Sequence, residues 1–177
     1  MAQKITETDK RNLQRLFDYL KQPNIAYRGE SEGYNGWDWD ILSPSELDKQ
    51  KAGHCVDKAN YCYLMAEKFG LPKPKVYYAL NVFDQNNWDN HAFAVFFGRV
   101  LMETSDFNSM GVYFCRDLDE CFSRETMSDA DRPGHQWQEA VFIEYTPENK
   151  HYDSTVDFFN SLLKDKRSDL ILPKPAS

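Results

Sequence analysis

The chain has 177 residues with 21 basic and 28 acidic side chains, giving a net charge of −7, and that length fits one domain with a closed core. An acidic chain without a basic patch argues against nucleic acid as a partner, and no apolar run reaches the roughly 18 residues of a membrane helix. A hydrophobic fraction of 41% with 12 Phe, 10 Tyr and 4 Trp excludes whole-chain disorder, and the polar N-terminus lacks a signal-peptide core, so the expectation is a cytoplasmic protein with no membrane partner.

Leu13, Leu16, Phe17 and Leu20 recur at helical spacing, with Thr6 or Thr8 able to cap and Pro23 beyond, so residues 8–22 read as an amphipathic helix. Residues 24–42, rich in Gly, Asp and Trp, read as a long irregular connection. Ser43-Pro44-Ser45-Glu46 opens a short helix that stops near Gly53. Residues 55–69 are apolar on most sides and end at Gly70, the pattern of a buried helix. Strand-like runs follow at 75–83, 91–97, 100–106 and 139–145, with a short helix at 115–125 and a last one at 154–165. Helices followed by mostly adjacent strands indicate an α+β fold, a single domain over 1–170 with a tail at 171–177.

Four cysteines, Cys55, Cys62, Cys115 and Cys121, read as thiols rather than a disulfide framework. Cys55 opens the buried helix, where the helix N-terminus favours thiolate over thiol and suits a nucleophile. A partner for it follows from the next hairpin. A two-residue turn at Gly98-Arg99 pairs Phe97 with Val100, Val95 with Met102, Phe93 with Thr104 and His91 with Asp106. His91 and Asp106 would then be close cross-strand neighbours on one face, with Glu103 pointing to the other. A carboxylate on one imidazole nitrogen fixes the tautomer and leaves the other nitrogen for a thiol proton. Cys55, His91 and Asp106 thus make a nucleophile, base and orienting acid.

Gly53-His54-Cys55-Val56-Asp57-Lys58-Ala59, Phe69-Gly70-Leu71-Pro72, His91-Ala92-Phe93 and Glu103-Thr104-Ser105-Asp106 resemble the motifs of the transglutaminase-like superfamily. The resemblance covers about residues 43–106 and implies a papain-like core, with the nucleophile-bearing helix packed on an antiparallel sheet. It implies Cys55 as nucleophile, His91 as general base and acid, and Asp106 as orienting acid. Val56 departs from the aromatic residue that often follows the cysteine. The implied activity is cysteine-dependent amide hydrolysis, of peptidase or deamidase type, through a thioester. Transglutaminase or other thiol acyltransferase activity, and a non-catalytic binding module, are the alternatives.

An acyl-transfer thiol also needs an oxyanion hole, for which the Cys55 backbone N–H is one donor and Gln50, Trp37 or Trp39 a candidate second. Trp88, in the turn before His91, is a candidate cleft wall, with Trp37 and Trp39 as further candidates for the substrate cleft. Zinc is not expected: Cys55 and Cys62 lie about 10.5 Å apart along a helix, and Cys115 and Cys121 lack a liganding spacing. His54 reads as a surface residue. No cofactor is implied, and the partner is a protein or peptide substrate. The acidic blocks at 29–48 and 101–150, which flank the Cys55 and His91 stretch, point to a cationic one.

Overall fold

The computed structural model describes residues 4–28, 40–84, 87–105, 110–130 and 139–163. Helix α1, Glu7–Leu20, starts where Thr6 and Asp9 exchange hydrogen bonds: the Asp9 N–H donates to Thr6 Oγ1 at 3.1 Å, and the Thr6 N–H donates to the Asp9 carboxylate at 2.8 Å. Its apolar stripe Leu13, Leu16, Phe17 and Leu20 is buried. Helix α2, Pro44–Gln50, starts in the same way, with the Ser43 N–H donating to Glu46 at 2.8 Å. Around it the chain forms a short parallel pair, one strand of which falls within the expected irregular connection of 24–42. Strand β1, Ala26–Tyr27, pairs in parallel with β2, Ala52–Gly53, which brings Tyr27 beside the start of the next helix.

That helix, α3, runs Cys55–Met65 and tightens into a 3₁₀ turn over Ala66–Phe69. It is buried nearly all round, including Asp57, Lys58 and Asn60. Five strands follow: β3 Lys75–Asp84, β4 Asn87–Phe96, β5 Val100–Glu103, β6 Gly111–Phe114 and β7 Glu139–Tyr145. They form one antiparallel sheet in the order β6-β5-β4-β3-β7. Helix α4, Leu118–Ala130, lies between β6 and β7 in sequence, and α5, Thr155–Leu163, follows β7. The fold is therefore α+β with a five-stranded antiparallel sheet. Among the described residues no helix is long and apolar enough to cross a membrane.

Both faces of the sheet are covered. Ala92, Ala94, Phe96, Val100 and Met102 face the layer of α1 and α3, whereas Phe93, Val95 and Leu101 face Cys121 and Phe122 of α4. Covered on both sides, β5 is buried at all four positions and lacks the alternation that would pin its register.

The register differs from expectation by one residue. The observed pairs are Ala94 with Met102, Val95 with Leu101 and Phe96 with Val100, around a three-residue loop rather than a two-residue turn at Gly98-Arg99. Phe97 (φ 53°) and Gly98 (φ 69°) both take the left-handed conformation, and the Arg99 N–H closes the turn on the Phe96 carbonyl at 3.1 Å. A left-handed phenylalanine is uncommon, so the sequence offered Gly98 as the first such residue instead. Strand β6 was not expected, β5 stops short of residue 106, and β4 begins early enough that Trp88 stands in the strand opposite Val82, not in a turn.

Candidate active site

Cys55 occupies the first position of α3, and its N-terminal turn is held rigidly. The Asp57 carboxylate accepts the His54 N–H at 2.6 Å and the Leu42 N–H at 2.8 Å, latching the helix start to the chain entering α2. Gly53 makes room for this latch: a Cβ there would stand 2.5 Å from Leu47 Cδ1 and 3.0 Å from Asp57 Oδ2. Burial pushes the Asp57 carboxyl up to about 7, against the two backbone hydrogen bonds that favour its charge. His54 is buried, contrary to its expected surface place, and packs edge-on to Tyr27 with ring centroids 5.9 Å apart. Burial, and then the positive charge of Arg28, lower its pKa to about 4, so it is neutral at pH 7.

On the sheet, the recorded β4–β5 ladder ends at Ala94 and Met102, and His91 lies beyond that last pair. Two covering layers meet at this position. His91 stands beside Cys55 of α3, whose sulfur helps to raise its pKa, and its Nε2 lies 2.5 Å from Glu103 Oε2 of β5 and 4.0 Å from Glu125 Oε2 of α4. Burial disfavours charge on this imidazole, but the Glu103 carboxylate and the Cys55 sulfur outweigh it and hold His91 well above its usual pKa.

Glu103 is 1% exposed, and its second oxygen accepts the Ser105 N–H at 2.6 Å, which fixes the carboxylate plane. The residue expected to face away from His91 is thus the acid that meets it. The one-residue register change carries odd-numbered β5 residues onto the face of odd-numbered β4 residues. Asp106, the expected orienting acid, lies outside the described residues.

Trp37 and Trp39 also lie outside the described residues. Gln50, at the end of α2, is exposed. The Cys55 N–H, in the first turn of α3, has no intrahelical acceptor and remains the backbone donor beside the thiol. Tyr27 lies close enough that the charge of the Cys55 sulfur, followed by burial, pushes its phenol up. Beneath the site, Lys58 is fully buried, with Nζ donating to the carbonyls of Ile25 and Thr104, each at 3.1 Å. Burial lowers it to about 8, against the opposing charges of Glu103 and Cys55.

His91, Glu103 and Glu125 offer three metal-type donors, all within 4.8 Å of one another. Two atoms bound to one zinc at about 2.0–2.2 Å stand roughly 3 Å or more apart. Nε2 and Oε2 stand 2.5 Å apart, as a close hydrogen-bonded ion pair. Glu103, Glu125, Lys58 and Tyr27 were not assigned to the site from sequence. Lysine within a nearly all-apolar helix was the one local signal among them, whereas Glu125 comes from α4, remote in sequence. No family model matches the chain, and no curated protein matches it.

Proposed function

We propose that the protein is a cysteine-dependent acyl-transfer enzyme with a papain-like, transglutaminase-like arrangement, hydrolysing amides of a protein or peptide through Cys55, His91 and Glu103. The observation that carries this reading is the imidazole of His91 standing beside the Cys55 sulfur while its Nε2 meets a buried carboxylate. A raised histidine pKa beside a thiol favours the thiolate–imidazolium pair as the resting form.

The thiolate attacks the amide carbonyl carbon, and the Cys55 N–H supports the oxyanion that develops. As the C–N bond breaks, His91 gives its proton to the departing nitrogen, leaving a thioester. Water then attacks, His91 takes its proton, and the C–S bond breaks to release acid and restore the thiolate. Glu103 holds the ring in one orientation throughout. Water is favoured as the acceptor because it needs no second binding site; an amine acceptor would make the same centre a transglutaminase. The four free thiols fit a reducing, cytoplasmic setting. The acidic blocks at 29–48 and 101–150 favour a cationic substrate.

Iodoacetamide at about pH 6 should label Cys55 rapidly and Cys62 slowly. Equal, slow labelling of all four thiols would refute the reading. Offered peptide amides together with fluorescent cadaverine, the protein should release ammonia or amine without incorporating the label. Incorporation would reassign it as a transferase.

A further inference from the structure

Lys58 takes no part in the acyl-transfer steps above, yet it is a fully buried lysine one helical turn beyond Cys55, on the same side of α3. Removing an ammonium from water costs several kcal/mol unless charge and hydrogen bonds compensate it. Its two recorded acceptors are informative in their place. Ile25 immediately precedes β1, and Thr104 immediately follows Glu103, so one ammonium ties the entry to β1 and the exit of β5 to the nucleophile's helix. The titratable groups that face it are Glu103 from β5 and Cys55, Asp57 and Cys62 from α3, of which burial holds Cys62 as the neutral thiol.

Glu103 has a particular need for such a neighbour. It shares His91 with a second buried carboxylate, Glu125 of α4. Buried carboxylates this close raise each other's pKa, and a protonated Glu103 would no longer support an imidazolium.

We infer that Lys58 is a positioning residue: it fixes the β5 backbone at Thr104 and supplies the positive charge that keeps Glu103 ionised against His91. The inference rests on the acyl-transfer reading and names what sustains its orienting acid.

The test compares wild type, Lys58→Met and Lys58→Arg in the full chain. It follows the pH profile of Cys55 alkylation by iodoacetamide, with thermal melting to establish folding. In the methionine variant the acid limb should move up by about one unit, because Glu103 takes a proton earlier and the thiolate loses a cation. Arginine keeps the charge and should restore most of the wild-type limb. A folded methionine variant with the wild-type limb, or an arginine variant displaced as far as methionine, would overturn the inference.

Should Lys58→Met not fold, the same coupling can be read from the lysine itself. Glu103→Gln should lower the NMR-measured pKa of Lys58 by about one unit, since linkage is reciprocal; no shift would overturn the inference. Failure of the underlying reading looks different: wild-type Cys55 would alkylate as slowly as Cys62.

Discussion

Cys55 and Cys62 lie on one helix, two turns apart, and both are buried thiols. At the second, the sulfur meets Met102 Sδ at 3.7 Å, and burial, followed by the Glu103 charge, pushes the thiol pKa up. At the first, the sulfur meets an imidazole held by a carboxylate, at the end of the helix where backbone N–H groups are unpaired. Burial alone therefore does not separate the two cysteines. The difference lies in whether a proton acceptor stands next to the sulfur, and this depends on where β5 stops.

The sharpest way to break the contrast is to remove each thiol. Cys55→Ala should lower amide turnover by about 10³-fold or more, whereas Cys62→Ala should leave kcat/KM within a few-fold. Loss of turnover from the second variant, with folding intact, would refute the division. Next comes Glu103→Gln, which keeps the shape of the acid but not its charge. Turnover should fall by about 10²-fold or more, and alkylation of Cys55 near pH 6 should slow toward that of Cys62.

A smaller effect separates the first helical turn from the rest through pH. His54, neutral when folded down to about pH 4, contributes stability that is full above its ordinary pKa of 6.5 and is lost as pH falls toward 4. Asp57, raised to about 7, runs the opposite way: its contribution is full below 3.8 and is lost as pH rises through 7. In the wild type the two oppose each other. His54→Gln removes the first, so the variant should lose ~2 kcal/mol less than wild type between pH 7 and pH 4 in denaturant unfolding. Parallel curves would show that His54 titrates normally. Smallest is the packing cost at the inert thiol: Cys62→Ala should lower stability by about 1 kcal/mol in the same measurement.

The helix that presents Cys55 was legible because its composition and its terminating glycine are local signals. His91 was legible because it stands in a recognisable strand. The meeting of Glu103 with His91 was not, since it hangs on one residue of register. The cues that fix register were missing: β5 is covered on both faces, and the first left-handed loop residue is Phe97. Strand β6 escaped notice because Gly111–Phe114 is too short to carry a period. Glu125 reaches the site from a helix whose position depends on tertiary packing against Phe93 and Leu101. Lys58 shared a face with Cys55 from the outset, but its acceptors are backbone carbonyls that no side-chain pattern announces.

The three residues between Phe96 and Val100 make the size of a surface loop an inherited constraint on the chemistry. With the strands otherwise paired, one insertion or deletion there would exchange the two sides of β5, bringing Met102 or Thr104 toward His91 and sending Glu103 into the apolar layer of α1 and α3. A change of two residues would keep the sides as they are. Drift in this hairpin is thus a matter of parity: descendants that keep the site can vary its loop in even steps, and an odd step must be matched by a β-bulge or by a new acid on the neighbouring position.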